Sequence, residues 1–312
     1  MAERGQPLKV LLLGGSGQVG TAWRELLSRE RAPHLLLAPS RQELDLGHPE
    51  AVGATVLQFG PDLIVNAAAY TAVDKAESEP ELARTLNADL PTVLAQAAQA
   101  SGSALLHYST DYVFAGTGQQ PHREDDPVQP LSVYGKTKAL GEVGIRGHLQ
   151  RHLILRTSWV MGAHGGNFLK TMLRLAAERE QLRVVADQVG VPTSARLLAD
   201  MGWRAWQHCA AQAASTPMSP PWGLYHLAPH GETTWCEYAQ FIVREALSRG
   251  WILKAGPGQV MPITTADYPT PARRPANSRL DTSRFERVFG VTLPHWQDGV
   301  RATLAELRST TA

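Results

Sequence analysis

Val10-Leu11-Leu12-Leu13-Gly14-Gly15-Ser16-Gly17-Gln18-Val19-Gly20 reads as an apolar strand, a glycine turn and the opening of a helix. Glycines at 14, 17 and 20 give the spacing G-x-x-G-x-x-G. Each permits a tight turn or a close backbone approach, and a pyrophosphate can then rest on the amides of the helix N-terminus. Such turns also occur without a ligand; the place after the first strand is what favours a dinucleotide. The predicted cofactor contacts here are Gly14, Gly17, Gln18, Val19 and Gly20.

Outward from this turn, short apolar runs alternate with helical patterns at βαβ spacing. Further strands are predicted at 35–38, 63–65, 104–108 and 153–155, and one long helix over 81–100. Strands this uniformly apolar are buried on both faces, which implies a parallel sheet between helices. The expected fold is therefore α/β, a Rossmann-type doubly wound parallel sheet with a smaller, mixed C-terminal substrate lobe. Beyond Thr157 the pattern loosens, with helices predicted over 167–179, 197–209 and 233–247 and loops over 216–221 and 264–278. The expected division gives 1–158 plus about 190–225 to the dinucleotide domain, and about 159–189 plus 226–312 to the lobe.

The 312 residues carry 30 Lys+Arg against 29 Asp+Glu, a formal net charge of +1, with 43% hydrophobic and 19% charged residues. That composition excludes a disordered chain and gives no reason to expect a nucleic-acid or membrane partner. Cys209 and Cys236 are too few for a disulfide framework, and a reducing cytoplasm fits. No apolar run approaches the roughly 18–20 residues of a bilayer span, and the polar start lacks the apolar core of a signal peptide. The histidines are scattered without zinc-ligand spacing.

After the second strand come Pro39, Ser40 and Arg41, with no acid before Glu43. An acid there would bond a ribose 2′-hydroxyl, whereas Arg41 can meet a 2′-phosphate, so NADPH is favoured over NADH as the alternative. Asp45 and Leu46 are expected at the adenine edge, by analogy with related folds. Tyr134-Gly135-Lys136-Thr137-Lys138 sets a phenol and an ammonium on one helix face. A neighbouring cation should lower the phenol pKa from its ordinary value near 10. Alone this pair reads equally well as a surface Tyr/Lys pair. Tyr108-Ser109-Thr110-Asp111 ends the fourth strand with hydroxyls where an open sheet presents its ligands.

Gly17, Thr110, Tyr134 and Lys138 resemble the signature of the extended short-chain dehydrogenase/reductase superfamily. Longer blocks, at 65–77, 109–114, 156–160 and 269–275, resemble the dTDP-4-dehydrorhamnose reductase family within it. The resemblance implies reduction of the C4 ketone of dTDP-4-dehydro-L-rhamnose by hydride from the nicotinamide, the last step of dTDP-L-rhamnose synthesis. Tyr134 would supply the proton, Lys138 would tune it and hold the nicotinamide ribose, and Thr110 would orient the ketone. Ala69, Tyr70 and Thr71 would line the cofactor. Val73, Asp111 and Trp159 would contact the dTDP-sugar, and Arg273 and Arg274 its diphosphate; Trp159 reads alternatively as core and the arginines as a solvated turn.

A dehydratase of this superfamily typically carries Thr-Asp-Glu, where this chain has Thr110-Asp111-Tyr112. A related epimerase or a non-catalytic subunit on the same fold are the other readings; the family blocks argue against the first, and the presence of Tyr134 and Lys138 against the second. Some family members bind Mg²⁺ at a dimer contact through three glutamates. The matching positions here are Ala22, Arg196 and Glu306, so no metal is expected in that arrangement. The chain is expected to act as a monomer or homodimer.

Overall fold

The computed structural model describes residues 7–215 and 220–309. The start before residue 7 and positions 216–219 of the first proline-containing loop lie outside them. Strand β1 (Leu8–Leu13) buries Val10 to Leu13 completely and pairs in parallel with β2 (His34–Leu37) and β3 (Leu63–Asn66). The sheet continues through β4 (Ala104–Thr110) and β5 (His152–Thr157) to β6 (Gly223–His226), an edge strand that the sequence pattern did not reveal. The spatial order is β6-β5-β4-β3-β1-β2, all parallel. The chain leaves β1 toward one edge and returns beyond it as β3. The carboxyl ends of β1 and β3 thus flank the switch point where open α/β sheets bind ligands.

Helices cover both faces, as the apolar strands require. Helix α1 (Gln18–Arg29) puts Trp23 and Leu27 on one face of the sheet, beside Leu198 and Trp203. On the other face lie Val52 and Val56 of α2 (Pro49–Phe59), Leu90 and Leu94 of α3 (Leu90–Ser101), and Ile145 of α4 (Val133–His148). The Tyr108 hydroxyl accepts from Trp23 Nε1 at 2.7 Å and donates to the Leu198 carbonyl at 2.8 Å, so it locks the first face and takes no part in chemistry.

The long helix expected over 81–100 is broken. Pro80–Arg84 is helical, Thr85–Asp89 forms a π-turn, and α3 starts at Leu90. Pro91 has no N–H to give the Asn87 carbonyl four residues earlier, so the regular ladder cannot run through. Gly141 of α4 packs against that carbonyl: a Cβ at 141 would lie 2.2 Å from it. The π-turn turns the Asn87 side chain, fully buried, toward the site.

A second core gathers Met161, Leu169 and Met172 with Tyr238, Ile242, Trp296 and Leu304. It draws on α5 (Phe168–Glu178), α7 (Trp235–Ser248) and α9 (Trp296–Ser309), while α6 (Ala195–Ser215) returns to the sheet. One segment departs from the expected lobe of 226–312. Phe285 and Phe289 of α8 (Ser283–Phe289), with Leu293, pack into the sheet's own core, because an edge strand of four residues leaves Tyr225 to be covered by their rings. Among the described residues no helix is long and apolar enough to cross a membrane.

Candidate active site

The glycine turn fits a dinucleotide by geometry. Gly14 has φ +75°, and a Cβ there would lie 2.7 Å from the Ala68 amide nitrogen. A Cβ on Gly20 would come within 2.0 Å of the Gly14 carbonyl oxygen, so α1 can dock on the turn only through glycine. Gly17 caps α1 without a side chain, and no acid stands in the first turn. The first amides, those of Gln18, Val19 and Gly20, are left in the field that favours a phosphate. Gln18 spends its side chain elsewhere: its Oε1 accepts from Asn167 Nδ2 at 2.8 Å and ties α1 to the start of α5.

Beyond β2, Arg41 is exposed in a turn closed by Glu43, whose carboxylate accepts the Ser40 N–H at 2.7 Å. The nearest acid is thereby committed to its own turn, and Arg41 is the charged group on offer there. Asp45 accepts the Gly47 N–H at 2.9 Å, and Leu46 packs partly into the sheet's core.

Ala69, Tyr70 and Thr71 follow β3. Asn87 holds this segment from both sides: its Oδ1 accepts the Tyr70 N–H at 2.8 Å, and its Nδ2 donates to the Tyr70 carbonyl at 3.1 Å and the Thr137 hydroxyl at 3.2 Å. The Tyr70 hydroxyl donates to Glu79 at 2.6 Å. Asn87 escaped the sequence reading because its setting depends on the π-turn.

Helix α4 is capped by the Ser132 hydroxyl, which accepts from the Gly135 N–H at 3.2 Å, and it delivers Tyr134 and Lys138 one turn apart. Tyr134 is half-buried and edge-on to Tyr112 at 5.6 Å, near the Thr110 hydroxyl. Thr110 Oγ1 also donates to Asp111 Oδ1 at 3.0 Å and accepts the Tyr112 N–H at 3.1 Å. Burial pushes the Asp111 carboxyl up to about 6, with the nearby Ser278 and Thr110 hydroxyls opposing, and its Oδ2 is buried without a hydrogen-bond partner.

The expected lowering of the phenol pKa by Lys138 is not what this arrangement produces. Lys138 is buried, and its Nζ donates to the Tyr108 carbonyl at 2.6 Å and meets His107 Nε2 at 3.0 Å. Burial raises the Tyr134 phenol above its ordinary value, the nearby Thr110 hydroxyl opposes this, and the Asp111 carboxylate adds to the rise. A phenol held neutral is suited to giving a proton rather than taking one.

Around this centre, Asp74 accepts from Arg274 Nη2 at 2.7 Å and from the Ala272 N–H at 3.3 Å, pinning the late proline-rich loop beside Val73. Arg274 is therefore paired rather than merely solvated, whereas Arg273 is exposed. Trp159 adopts a left-handed backbone, φ 45°, and stacks on Trp235 at 3.7 Å. It lies across Gly190 from Ser278: a Cβ on Gly190 would sit 2.7 Å from the indole and 3.0 Å from Ser278 Cβ. A non-glycine residue at positive φ is a strain that packing must hold, and such strain gathers at ligand sites.

The family's three-glutamate metal set does not fit here, because Ala22 offers no ligand atom and Arg196 is a cation. Glu306 instead lies 3.7 Å from His164 Nε2, which also meets Glu25 at 3.2 Å. Arg29 and Arg196 line the same hollow.

The family model described as the RmlD substrate binding domain matches residues 8–309. A dTDP-4-dehydrorhamnose reductase of Salmonella typhimurium is 48% identical over 311 residues, covering 97% of this chain and 99% of that protein. One from Escherichia coli is also 48% identical, over 98% of this chain and 100% of its own. Among solved structures, a dTDP-4-dehydrorhamnose reductase of Clostridium acetobutylicum superposes with TM-score 0.86 at 32% identity, over 96% of this chain and 100% of that one. A Bacillus anthracis reductase in complex with NADP gives TM-score 0.83 at 30% identity, over the same shares.

Proposed function

The chain belongs to the RmlD substrate binding domain family, whose curated relatives are dTDP-4-dehydrorhamnose reductases, and from that premise we propose how its own residues serve the reaction. The enzyme is an NADPH-dependent oxidoreductase that reduces the C4 ketone of dTDP-4-dehydro-L-rhamnose to dTDP-L-rhamnose. NADPH supplies the hydride. The turn of Gly14, Gly17 and Gly20, the amides of Gln18 and Val19, and the segment Ala69–Thr71 hold it, with Arg41 at the 2′-phosphate and Asp45 and Leu46 beside the adenine.

As negative charge develops on the C4 oxygen, Tyr134 Oη gives it a proton. Thr110 orients the ketone through its hydroxyl, which lies near Tyr134. Lys138 holds the ribose side of the cleft. Val73, Asp111 and Trp159 meet the sugar nucleotide; Arg273 reaches its diphosphate, and Arg274 does so from its pairing with Asp74. The observation that carries these roles is one linked run of contacts. Gly14 abuts Ala67 and Ala68, Asn66 bonds His107, and His107 bonds Lys138.

The direct test is loss of NADPH absorbance on adding dTDP-4-dehydro-L-rhamnose, with dTDP-L-rhamnose identified as product. No substrate-dependent oxidation would overturn the reading. In the same assay Arg41→Ala is expected to raise KM for NADPH by about 5- to 20-fold, the worth of an exposed charge-assisted contact, and to leave KM for NADH unchanged. An equal effect on both cofactors would remove Arg41 from the 2′-phosphate.

A further inference from the structure

Three buried side chains, of which only Lys138 has a role above, form a line: Asn66 at the end of β3, His107 on β4 and Lys138 on α4. Asn66 Nδ2 lies 3.0 Å from His107 Nδ1, and His107 Nε2 lies 3.0 Å from Lys138 Nζ. Asn66 and His107 are essentially inaccessible to solvent, and so is Lys138. Bulk solvent does not reach them, and the protons along the line can be counted from the direct contacts.

The count starts at a backbone amide. The Ala68 N–H can only donate, and it faces the Asn66 side chain at 3.2 Å, so the atom it meets is Oδ1. The atom facing His107 is then the NH₂, which donates to Nδ1. A neutral imidazole that accepts at Nδ1 carries its single proton on Nε2. That N–H points at Lys138 Nζ. An ammonium has no lone pair to receive it, whereas a neutral amine does, and still gives a hydrogen to the Tyr108 carbonyl at 2.6 Å. The other assignments each press two donors together.

We propose that His107, oriented by Asn66, is a positioning residue for the reductase site: its Nε2–H selects the neutral amine of Lys138 in the cofactor-free enzyme. The charged and titratable surroundings agree. Glu142, one turn further along α4, favours the ammonium but is already claimed by the bidentate Arg156 guanidinium and the Ser109 hydroxyl. Tyr134, one turn back, is held neutral, and the Tyr108 hydroxyl points away to Trp23 and Leu198. Burial keeps His107 uncharged and brings Lys138 down to about 8, with Glu142 opposing; the imidazole N–H adds a further cost to the ammonium. The role of Lys138 in reduction rests on the proposed function, but its protonation and the His107 tautomer are readable without substrate.

Histidine-labelled protein without cofactor tests the tautomer by long-range ¹H–¹⁵N correlation at neutral pH, the His107 signals being those missing from His107→Gln. The expected spectrum shows Nε2 protonated and Nδ1 bare; an Nδ1–H tautomer or an imidazolium would overturn the proposal. A second readout follows the Lys138 midpoint through the ¹³Cε shift of labelled lysine. Asn66→Asp is isosteric and accepts where Asn66 donates, so it should move the His107 proton to Nδ1 and turn Nε2 into an acceptor for the ammonium. The Lys138 midpoint should then rise by about one to two pH units, and the matching limb of the kcat/KM pH profile should rise with it. His107→Gln, whose amide can turn its oxygen to Lys138, should shift both in the same direction. A carboxylate at 66 also favours the ammonium directly, so His107→Gln, which adds no charge, decides: if His107 only fills space, that folded variant will titrate as the wild type does, and that result would defeat the proposal even were every substrate assay to succeed.

Discussion

Tyr134→Phe is expected to lower kcat for ketone reduction by about 100- to 10 000-fold, the usual worth of a placed general acid. The substitution removes one oxygen and leaves the ring packed edge-on to Tyr112 at 5.6 Å, so the fold and NADPH binding should survive it. Single-turnover NADPH oxidation, with a thermal melt on the same sample, separates the two effects. A folded variant that keeps near-wild-type turnover would remove Tyr134 from the acid role. The pH dependence has a definite sign. Burial raises the phenol above its ordinary value, so the proton to be delivered stays in place through neutrality and well into the alkaline range. Reduction should therefore lose no rate to Tyr134 ionisation below about pH 10. The reverse oxidation, which needs the phenolate as base, should climb with pH over the same interval.

That behaviour departs from the sequence reading at one point, the lowering of the phenol pKa by Lys138. The i, i+4 spacing placed Tyr134 and Lys138 on one helix face because helix geometry is local, and the glycine turn was legible for the same reason. What Lys138 does with its Nζ was not legible, because its partners come from β4: His107 lies 31 residues away. Asn66 and His107 are 41 apart, and Arg274 meets Asp74 across 200 residues. No periodicity records such pairings. Arg274 read as a diphosphate contact or a solvated turn residue, and its pairing with Asp74 emerged only from the late loop closing over the start of the Val73–Ala76 helical turn. Trp159 was picked out by its block, but Trp235, the ring it stacks on, had no signal beyond an apolar position in a helical stretch. The edge strand Gly223–His226 is four residues long and half-covered at its start, too short for an apolar run to declare it.

Arg156→Met is expected to cost about 3–5 kcal/mol of stability, because it strands a carboxylate in the core. Arg156 on β5 and Glu142 on α4 are each 1% exposed and joined by two hydrogen bonds, of 2.8 and 2.6 Å. The guanidinium also lies 4.9 Å from the Phe114 ring centre. Methionine fills the space of the stem but leaves Glu142 with only the Ser109 hydroxyl at 2.6 Å. An unpaired buried carboxyl favours its protonated form, so in the variant its folded-state pKa rises above the unfolded value near 4.3. The unfolded chain then releases that proton more readily than the folded one. The penalty is therefore full above the raised folded-state pKa and fades as pH falls toward the unfolded value. Urea unfolding at several pH values should show the gap to wild type narrowing on acidification; a gap that is constant or widens would mean the loss is packing alone. The double variant Glu142→Leu/Arg156→Met removes both charges and should recover most of the stability. It should not recover turnover as fully. Glu142 is one turn from Lys138, and the ion pair sets how α4 lies against β5, so a hydrophobic replacement can restore the fold while leaving Tyr134 and Lys138 slightly misplaced. A shift of a fraction of an ångström at those two groups shows in kcat long before it shows in a melt.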